Sequence, residues 1–356
     1  MKKIIYIICC SAVPLVALLF SGVESRCAGV PGLSIQRLVG QSDLIVIGRI
    51  TKVSKVADSQ VNIHGQILPA DMMEAIVEAQ QTLKGESHDS MLAVRFAVPI
   101  SPAGSVGYGT LVSQQDRLLF LRNASSGGGY EPTDPYYPSL PVAKTRDALS
   151  NSKSDVNRPT FKEVEAKVVS IECQTISSVN ETPNVRLEAI WSLKRVADPC
   201  LPIALHNAFE SSDRILRLTA AAALLKLNDI QVLGAALREA DQLPLDSYLR
   251  LNLASAIRDG VHSEGAVPDI VTMLQTNDPL MHRAAASALH NIGTVSCLPG
   301  LVLALSDEDK GTRYYAVIGL ADIEGKPDQK PSMEDFDRNS SSYVNYWQAW
   351  AKGHEK

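Results

Sequence analysis

Arg283-Ala284-Ala285-Ala286-Ser287-Ala288-Leu289 sets the pattern for the second half of this 356-residue chain: an arginine followed by alanines and a closing leucine. Related segments recur, and each has an arginine near the start of an apolar run. The five arginines are Arg186, Arg217, Arg250, Arg283 and Arg313, with spacings of 31, 33, 33 and 30 residues. A nearly constant period of this length is typical of stacked two-helix repeats.

A second, shorter apolar segment lies between successive arginine-bearing helices. These segments span 201–209, 232–237, 267–274 and 298–305, and three of them open with the pairs Leu201-Pro202, Val267-Pro268 and Leu298-Pro299. Proline suits the first turn of a helix, where its missing N–H has no intrahelical partner. Each repeat is therefore predicted to be a helix, an acidic turn and a second helix.

The turns contain an aspartate four or five residues before the arginine, namely Asp213, Asp246, Asp278 and Asp309. An aspartate at a helix N-terminus accepts hydrogen bonds from free backbone N–H groups and suits the helix dipole. It can also reach an arginine one turn further on. The arginines could form a row of anion-binding sites, or each could tie its helix to its own or the preceding turn. The structural interpretation is favoured, because a residue present in every repeat usually serves the repeat.

The proline openings, the acidic turns and the Arg-x-x-Ala-x-x-x-Leu pattern resemble the HEAT-repeat family over roughly 183–325, and more narrowly the HEAT-like repeats first described in phycobilin lyases. The resemblance implies a curved protein-binding scaffold and carries no lyase activity with it. We expect the all-α solenoid to span 160–325, since Thr160-Phe161-Lys162-Glu163 is a capping-box signature for its first helix.

Residues 326–356 are predicted to be a polar loop, up to about residue 339, followed by a helix. Four aromatic residues fall at positions i, i+3, i+4 and i+7 of that helix, namely Tyr343, Tyr346, Trp347 and Trp350. The stripe could be a docking surface for a partner or the inner face of a capping helix. The cap is favoured, because a solenoid needs its open end closed.

Residues 30–145 have a different composition and a different pattern of apolar residues. A short helix is expected at 34–40, and segments rich in branched and aromatic residues predict strands at 44–56, 73–83, 91–98 and 117–122. Four or five strands in a domain of this size suggest a small antiparallel β-barrel. The fold class is therefore α+β and multidomain: an OB-like barrel, a linker at 146–159 and an all-α HEAT-like solenoid.

Three segments of this domain, 43–50, 82–85 and 116–121, resemble a domain of exported bacterial proteins. That domain is itself similar to the oligonucleotide/oligosaccharide-binding (OB) barrel of the tissue inhibitors of metalloproteinases. Those inhibitors present a mature N-terminal cysteine to the zinc of the protease, which makes Cys27 a candidate inhibitory residue here. Arg26 precedes it, however, and the disulfide set of the inhibitors is missing.

Residues 1–25 are predicted to be a signal peptide, with Lys2 and Lys3 before an apolar run and cleavage after Ser25. An uncleaved membrane anchor is the alternative. The run from Ile4 to Phe20 is slightly short for a spanning helix, which needs about 20 residues, and it contains Pro14. We therefore expect an exported protein, periplasmic or secreted.

A cleaved chain keeps four cysteines, namely Cys27, Cys173, Cys200 and Cys297. Cys200 and Cys297 occupy equivalent positions three repeats apart, about 30 Å if the helices stack, which is too far for a disulfide. Cys173 and Cys200 are the local candidates, and both a disulfide and two buried free thiols remain open.

Motifs for catalysis are missing from the sequence. The seven histidines show no metal-binding spacing, and the glycine-rich segments lack the strand and helix that a phosphate-binding loop needs. The formal net charge of −5 gives no reason to expect nucleic acid. These observations favour a non-catalytic scaffold without a cofactor that binds a protein or peptide, and that reaches a membrane only through an uncleaved signal. The alternative is a metalloprotease-inhibitor-like or other enzyme-regulating protein that acts through the barrel.

Overall fold

The computed structural model describes residues 33–354, apart from 64, 88, 101–108, 125–127 and 144–158. The predicted signal peptide, Cys27 and nearly all of the predicted linker lie outside the described residues. The chain is an α+β protein with an N-terminal mixed sheet and a C-terminal helical region. It forms two compact units, of which the first ends at Ala208 and the second begins at Phe209.

The first unit opens with helix α1 (Ile35–Gln41), which Ser34 caps by accepting a hydrogen bond from the N–H of Arg37. Six strands follow: β1 (Leu44–Ile63), β2 (Gln66–Lys84), β3 (Met91–Pro99), β4 (Gln115–Asn123), β5 (Tyr130–Pro132) and β6 (Ser139–Pro141). All four predicted strands are present. The first two are longer than predicted, because β1 and β2 form one hairpin that continues through the polar residues between them.

The strands form one mixed sheet. β1 pairs antiparallel with β2 along its length and with β4 from Leu44 to Ile50. β2 also pairs with β3, and β4 also pairs with β5 and β6. The expectation of a purely antiparallel arrangement is wrong at one place, because the short β5 joins β3 in parallel at Val94 and Tyr130. Each of the strands β1 to β5 thus has neighbours on both sides.

The core of the sheet comes from the alternating positions of its longest strands. Leu44, Val46 and Ile50 of β1 pack with Val77 of β2 and Leu119 of β4, and all are buried. Ile45 and Ile47 are buried as well. The uninterrupted apolar run at the start of β1 is therefore that of a strand covered on both faces.

Three helices complete the first unit: α2 (Phe161–Ser177), α3 (Pro183–Ser192) and α4 (Cys200–Phe209). The predicted capping box at the start of α2 is confirmed, since Thr160 accepts from the N–H of Glu163 and the Glu163 carboxylate accepts from the N–H of Thr160. Cys173 and Cys200 form a disulfide across Cα atoms 6.2 Å apart, which ties α2 to the start of α4. Cys297 is a buried free thiol.

The second unit is helical. Its arginine-bearing helices are α5 (Arg214–Lys226), α7 (Tyr248–Gly260), α9 (Pro279–Ile292) and α11 (Lys310–Ile323), and they pack side by side in that order. The short helices α6 (Leu233–Ala240), α8 (Val267–Met273) and α10 (Leu298–Ala304) lie between them in the chain. Small residues allow close packing: a Cβ on Gly260 would come within 2.4 Å of the Lys226 Cα on α5.

Helix α12 (Met333–His354) ends the described chain, with a non-helical residue at Asn339. The polar loop expected up to residue 339 is therefore wrong in its second half. The side chain of Ser332 accepts from the N–H of Asp335, and Phe336 packs fully buried against the ring of Tyr314. The Ser332 cap and the buried Phe336 together explain why the helix begins at Met333, before its predicted start. Within the part of the chain that is described, none of the helices has the length and apolar character needed to cross a membrane.

Candidate functional site

Arg250 makes the most buried ion pair of the repeat arginines. Its Nε and Nη2 donate to one carboxylate oxygen of Asp278 at 2.8 and 2.6 Å, and its Nη1 donates to the carbonyl of Ala240 at 2.6 Å. Both side chains of the pair are less than 5% exposed. Arg250 therefore links the end of α6, the helix before its own, to the turn that starts the next arginine-bearing helix.

The other repeat arginines make parts of the same arrangement. Arg217 pairs with Glu239 and donates to the carbonyl of Ser211, and Arg283 pairs with Asp309 at 2.5 and 3.0 Å. Arg313 donates to the carbonyls of Asp307 and Glu308. In the first unit, Arg186 donates to the carbonyls of Ile176 and Asn207. These five arginines and their acceptors are called the arginine ladder below.

The ion pairs differ from the expected ones. The partner of Arg250 is Asp278 in the following turn, and Asp246, four residues before Arg250, is exposed. The reason is that the aspartates cap their own helices: Asp213 accepts from the N–H of Leu216, and Asp309 from that of Thr312. Helix α7 is capped by Ser247. Arg217, Arg250 and Arg283 instead extend toward acidic residues that follow their helices in the chain.

A histidine adds a second link at one step of the ladder. His282 places Nδ1 2.7 Å from a carboxylate oxygen of Asp307 and Nε2 2.7 Å from the carbonyl oxygen of Thr276. His282 therefore connects the turn before its own helix to the turn before α11.

The electrostatics of the ladder follow from these contacts. Partial burial acts to raise the pKa of Asp309, but hydrogen bonds from Arg283 and Thr312 outweigh it and lower that pKa to about 2. The hydrogen bonds to Glu239 raise the pKa of Arg217. Arg250 uses all three guanidinium nitrogens on protein acceptors. The buried step of the ladder consequently has no nitrogen left without an acceptor in the chain.

Helices α7, α9 and α11 also carry a set of exposed or half-buried residues here called the polar face: Ser255, Arg258, Asp259, Asn291 and Tyr315. Arg258 pairs with Asp259, which also accepts from Ser255. The side-chain amide of Asn291 donates to the carbonyl of Arg258 at 2.9 Å, which joins α9 to the end of α7. Leu251, 39% exposed, adds an apolar position on α7.

The aromatic stripe of α12 packs against the end of the helical unit. Trp347 is fully buried, with the rings of Tyr346 and Trp350 edge-on to it at 5.2 and 5.5 Å. The Lys326 ammonium lies over the Tyr346 and Trp347 rings. Tyr343 lies against Phe336, with ring centres 6.5 Å apart. Of the four predicted aromatic residues, Tyr346 is the most exposed, at 36%.

A polar cluster in the first unit was not anticipated from the sequence. Arg117 on β4 forms a two-pronged ion pair with Glu188 on α3 and donates from Nε to the hydroxyl of Ser139. Nearby, Glu172 on α2 is fully buried, and one of its carboxyl oxygens has no hydrogen-bond partner among the described residues. Arg117 and Glu188 are 71 positions apart, so no local spacing could have paired them.

Burial raises the pKa of Glu172 well above its usual value. Among the weaker effects, the hydrogen bond from Ser192 and the charge of Arg117 lower the pKa, whereas the charge of Glu188 raises it. The Ser192 hydroxyl lies 2.8 Å from both the Glu172 carboxyl and the carbonyl oxygen of Ala189. Burial is the largest of these effects, so the environment of Glu172 favours its uncharged carboxyl form over the carboxylate.

The described residues contain no group of three or more His, Cys, Asp and Glu side chains that could hold a metal ion. Cys27, the candidate inhibitory residue, lies outside the described residues. No protein-family description matches the chain, and no curated protein matches it. Among solved structures, human deoxyhypusine hydroxylase in complex with glycerol matches with 18% identity over 53% of this chain and 73% of that chain, at a TM-score of 0.24. A likeness this low supports no statement about function.

Proposed function

We propose that the chain is an exported, non-catalytic scaffold that binds a protein or peptide on the polar face of a HEAT-like solenoid. The observation that carries the proposal is the arginine ladder. Arg250 bridges from the end of α6 to Asp278 in the following turn, and Arg283 pairs with Asp309 in the turn after that. Links of this kind join neighbouring helix pairs, which supports an array of stacked repeats.

The sheet supports an OB-like barrel as the second component. Strands β1 to β5 each pair on two sides, and the pairing of β1 with β4 connects the two ends of the strand order. A closed sheet has no free edges along its paired length, which is the usual way for a small β domain to avoid uncontrolled association.

Export is supported by the Cys173–Cys200 disulfide. Disulfides persist in oxidising compartments and are rare in the reducing cytosol. The apolar run near the N-terminus also suggests an oxidising compartment outside the cytosol.

The polar face suits a protein or peptide partner. It combines charges of both signs at Arg258 and Asp259 with the exposed Leu251 and the phenol of Tyr315. Protein interfaces typically mix an apolar anchor, an aromatic residue and arginine in this manner. A rigid helical support lowers the entropy lost when such a surface binds.

Site-specific photo-cross-linking in exported fractions tests the proposal. A photoreactive residue at Ser255, on the polar face, should give a discrete cross-linked species that disappears in Arg258→Glu. The matched control is Thr272, exposed on the short helix α8, which should give no discrete species. Equal products at both positions, or none at Ser255, would place the binding surface elsewhere.

A further inference from the structure

A groove of about 400 Å³ lies in the first unit, between β3 and the described residues on either side of 125–127. Met91 and Ala93 line one side, and Asn123, Gly128 and Gly129 belong to the other. Asp89 and Tyr130 also line it. A volume of this size is within the range of sites that bind small molecules or short peptide segments.

The walls of the groove are largely strand backbone. β3 is paired with β2 along one edge, but its other edge meets β5 only at Val94 and Tyr130. Among the described residues, no strand therefore pairs with that edge at Met91–Ala93. An open strand edge presents a row of N–H and C=O groups that an extended peptide can pair with.

One end of the groove depends on a glycine, Gly129. Gly129 has φ of +98°, and a Cβ there would lie 2.9 Å from the carbonyl oxygen of Ala93. Only a residue without a side chain allows the backbone to come this close to β3 in that conformation. The groove thus closes at the Val94–Tyr130 pairing.

Among the described residues that line the groove, one is acidic, Asp89, and none is basic. Glu78 lies one strand further away, opposite Met91 in the β2–β3 register and opposite Arg49 in the β1–β2 register. The side chains of Asp89 and Glu78 are both exposed. The neighbouring Glu74 and Glu131 are already paired with Arg95 and Arg122 at 2.9 and 2.7 Å.

We propose that this groove binds an extended, lysine- or arginine-bearing peptide segment as an added strand beside Met91–Ala93. Backbone hydrogen bonds to β3 supply the register, Asp89 in the groove attracts the cationic side chains, and Glu78 on the neighbouring strand adds to that attraction. This is a second binding site, distinct in chemistry from the polar face, and it does not depend on the proposed scaffold function.

Three synthetic hexapeptides serve as probes, measured by fluorescence anisotropy with the full chain. The first alternates lysine and valine, the second alternates glutamate and valine, and the third is the lysine peptide with alternate backbone amides N-methylated. The lysine peptide should bind at least about tenfold more tightly than either of the others, because each loses one of the two proposed interactions. No binding of the lysine peptide at about 1 mM would overturn the proposal.

Variants locate the site. Asp89→Asn combined with Glu78→Gln should weaken binding of the lysine peptide about fivefold, as expected for two exposed ion pairs. Glu165→Gln, which removes a charge from α2 in the same unit, is the control and should leave the affinity unchanged. Unchanged affinity in the double variant, or equal binding of all three peptides, would contradict the assignment.

Discussion

Arg250 and Asp278 lie 28 positions apart in the chain, yet they form a buried ion pair in which two guanidinium nitrogens donate to one carboxylate oxygen. The same aspartate accepts from the N–H groups of Leu280 and Met281 and so caps α9. One side chain therefore both starts a helix and holds the preceding repeat. The predictions below follow from this arrangement and from the other buried contacts.

Gly260→Ala should destabilise the helical unit by about 1–3 kcal/mol, as overpacking of a tight core does. Alanine normally stabilises a helix relative to glycine, so a loss of stability on this substitution would point to the close contact and not to helix propensity. At Gly260 the added Cβ would lie 2.4 Å from the Lys226 Cα and 2.5 Å from the Leu225 carbonyl oxygen, and backbone cannot move aside cheaply. Urea unfolding measures the change.

The control for this prediction is Gly234→Ala on α6, whose Cβ would meet only side-chain atoms at 3.4 Å and beyond. That change should be neutral or stabilising. Equal effects of the two substitutions would show that α5 and α7 do not approach each other as closely as described.

Glu172→Gln should stabilise the first unit, and the gain should grow with pH. Burial raises the pKa of Glu172 in the folded state above its usual value of 4.5. The stability that accompanies a raised carboxyl pKa is fully present below the unfolded pKa and is lost as pH rises through the folded pKa. Glutamine carries no charge and avoids this loss, which amounts to about 1.4 kcal/mol per pH unit in that window.

The measurement for Glu172 is urea-dependent hydrogen exchange of the α2 and α3 amides at two pH values, one near 5 and one near 8. Glu165→Gln on the same helix, at a position that is not fully buried, is the matched control for the loss of a carboxyl group. A gain for Glu172→Gln that stays constant between the two pH values would mean that Glu172 is already ionised in the folded protein.

The disulfide should protect Cys173 and Cys200 from alkylation in the unfolded, unreduced protein, while Cys297 reacts. Its removal in Cys173→Ala/Cys200→Ala should cost the first unit about 3.5 kcal/mol, the value expected for a closed loop of 27 residues. Mass spectrometry of alkylated peptides checks the first statement and urea unfolding the second. Alkylation of all three cysteines without reductant would contradict the bond.

The repeat period was enough to predict the helices of the second half, because each repeat must bury the same apolar positions. The partners of the repeat arginines could not be predicted in the same way. The spacing of Asp246 and Arg250 suggests a contact within one helix, but the chain places Asp278 of the next repeat against Arg250. Such a contact depends on how far neighbouring helices are shifted, which a single sequence does not reveal.

The sheet, too, could be predicted only in part from the sequence. The start of β1 is apolar and was predicted. The rest of the strand, up to Ile63, is mostly polar, and it stays extended because it pairs residue by residue with β2 in the hairpin. The three-residue strands β5 and β6 are too short to show alternation. Glu172 was missed because an acidic residue in a helix is normally exposed, and only its packing beside Ser192 shows otherwise.

A double-mutant cycle on Arg250 and Asp278 tests most directly whether the ladder holds the repeats together. Arg250→Met should cost about 3–5 kcal/mol because it leaves Asp278 buried without its partner, and Asp278→Asn keeps a capping oxygen while removing the charge. The account predicts that the double variant costs at least about 1 kcal/mol less than the sum of the singles. The pair Arg283→Met and Asp309→Asn, in which the arginine is half exposed, should show a smaller coupling of about 1 kcal/mol or less. Additive effects at Arg250 and Asp278 would contradict the ladder as the link between repeats.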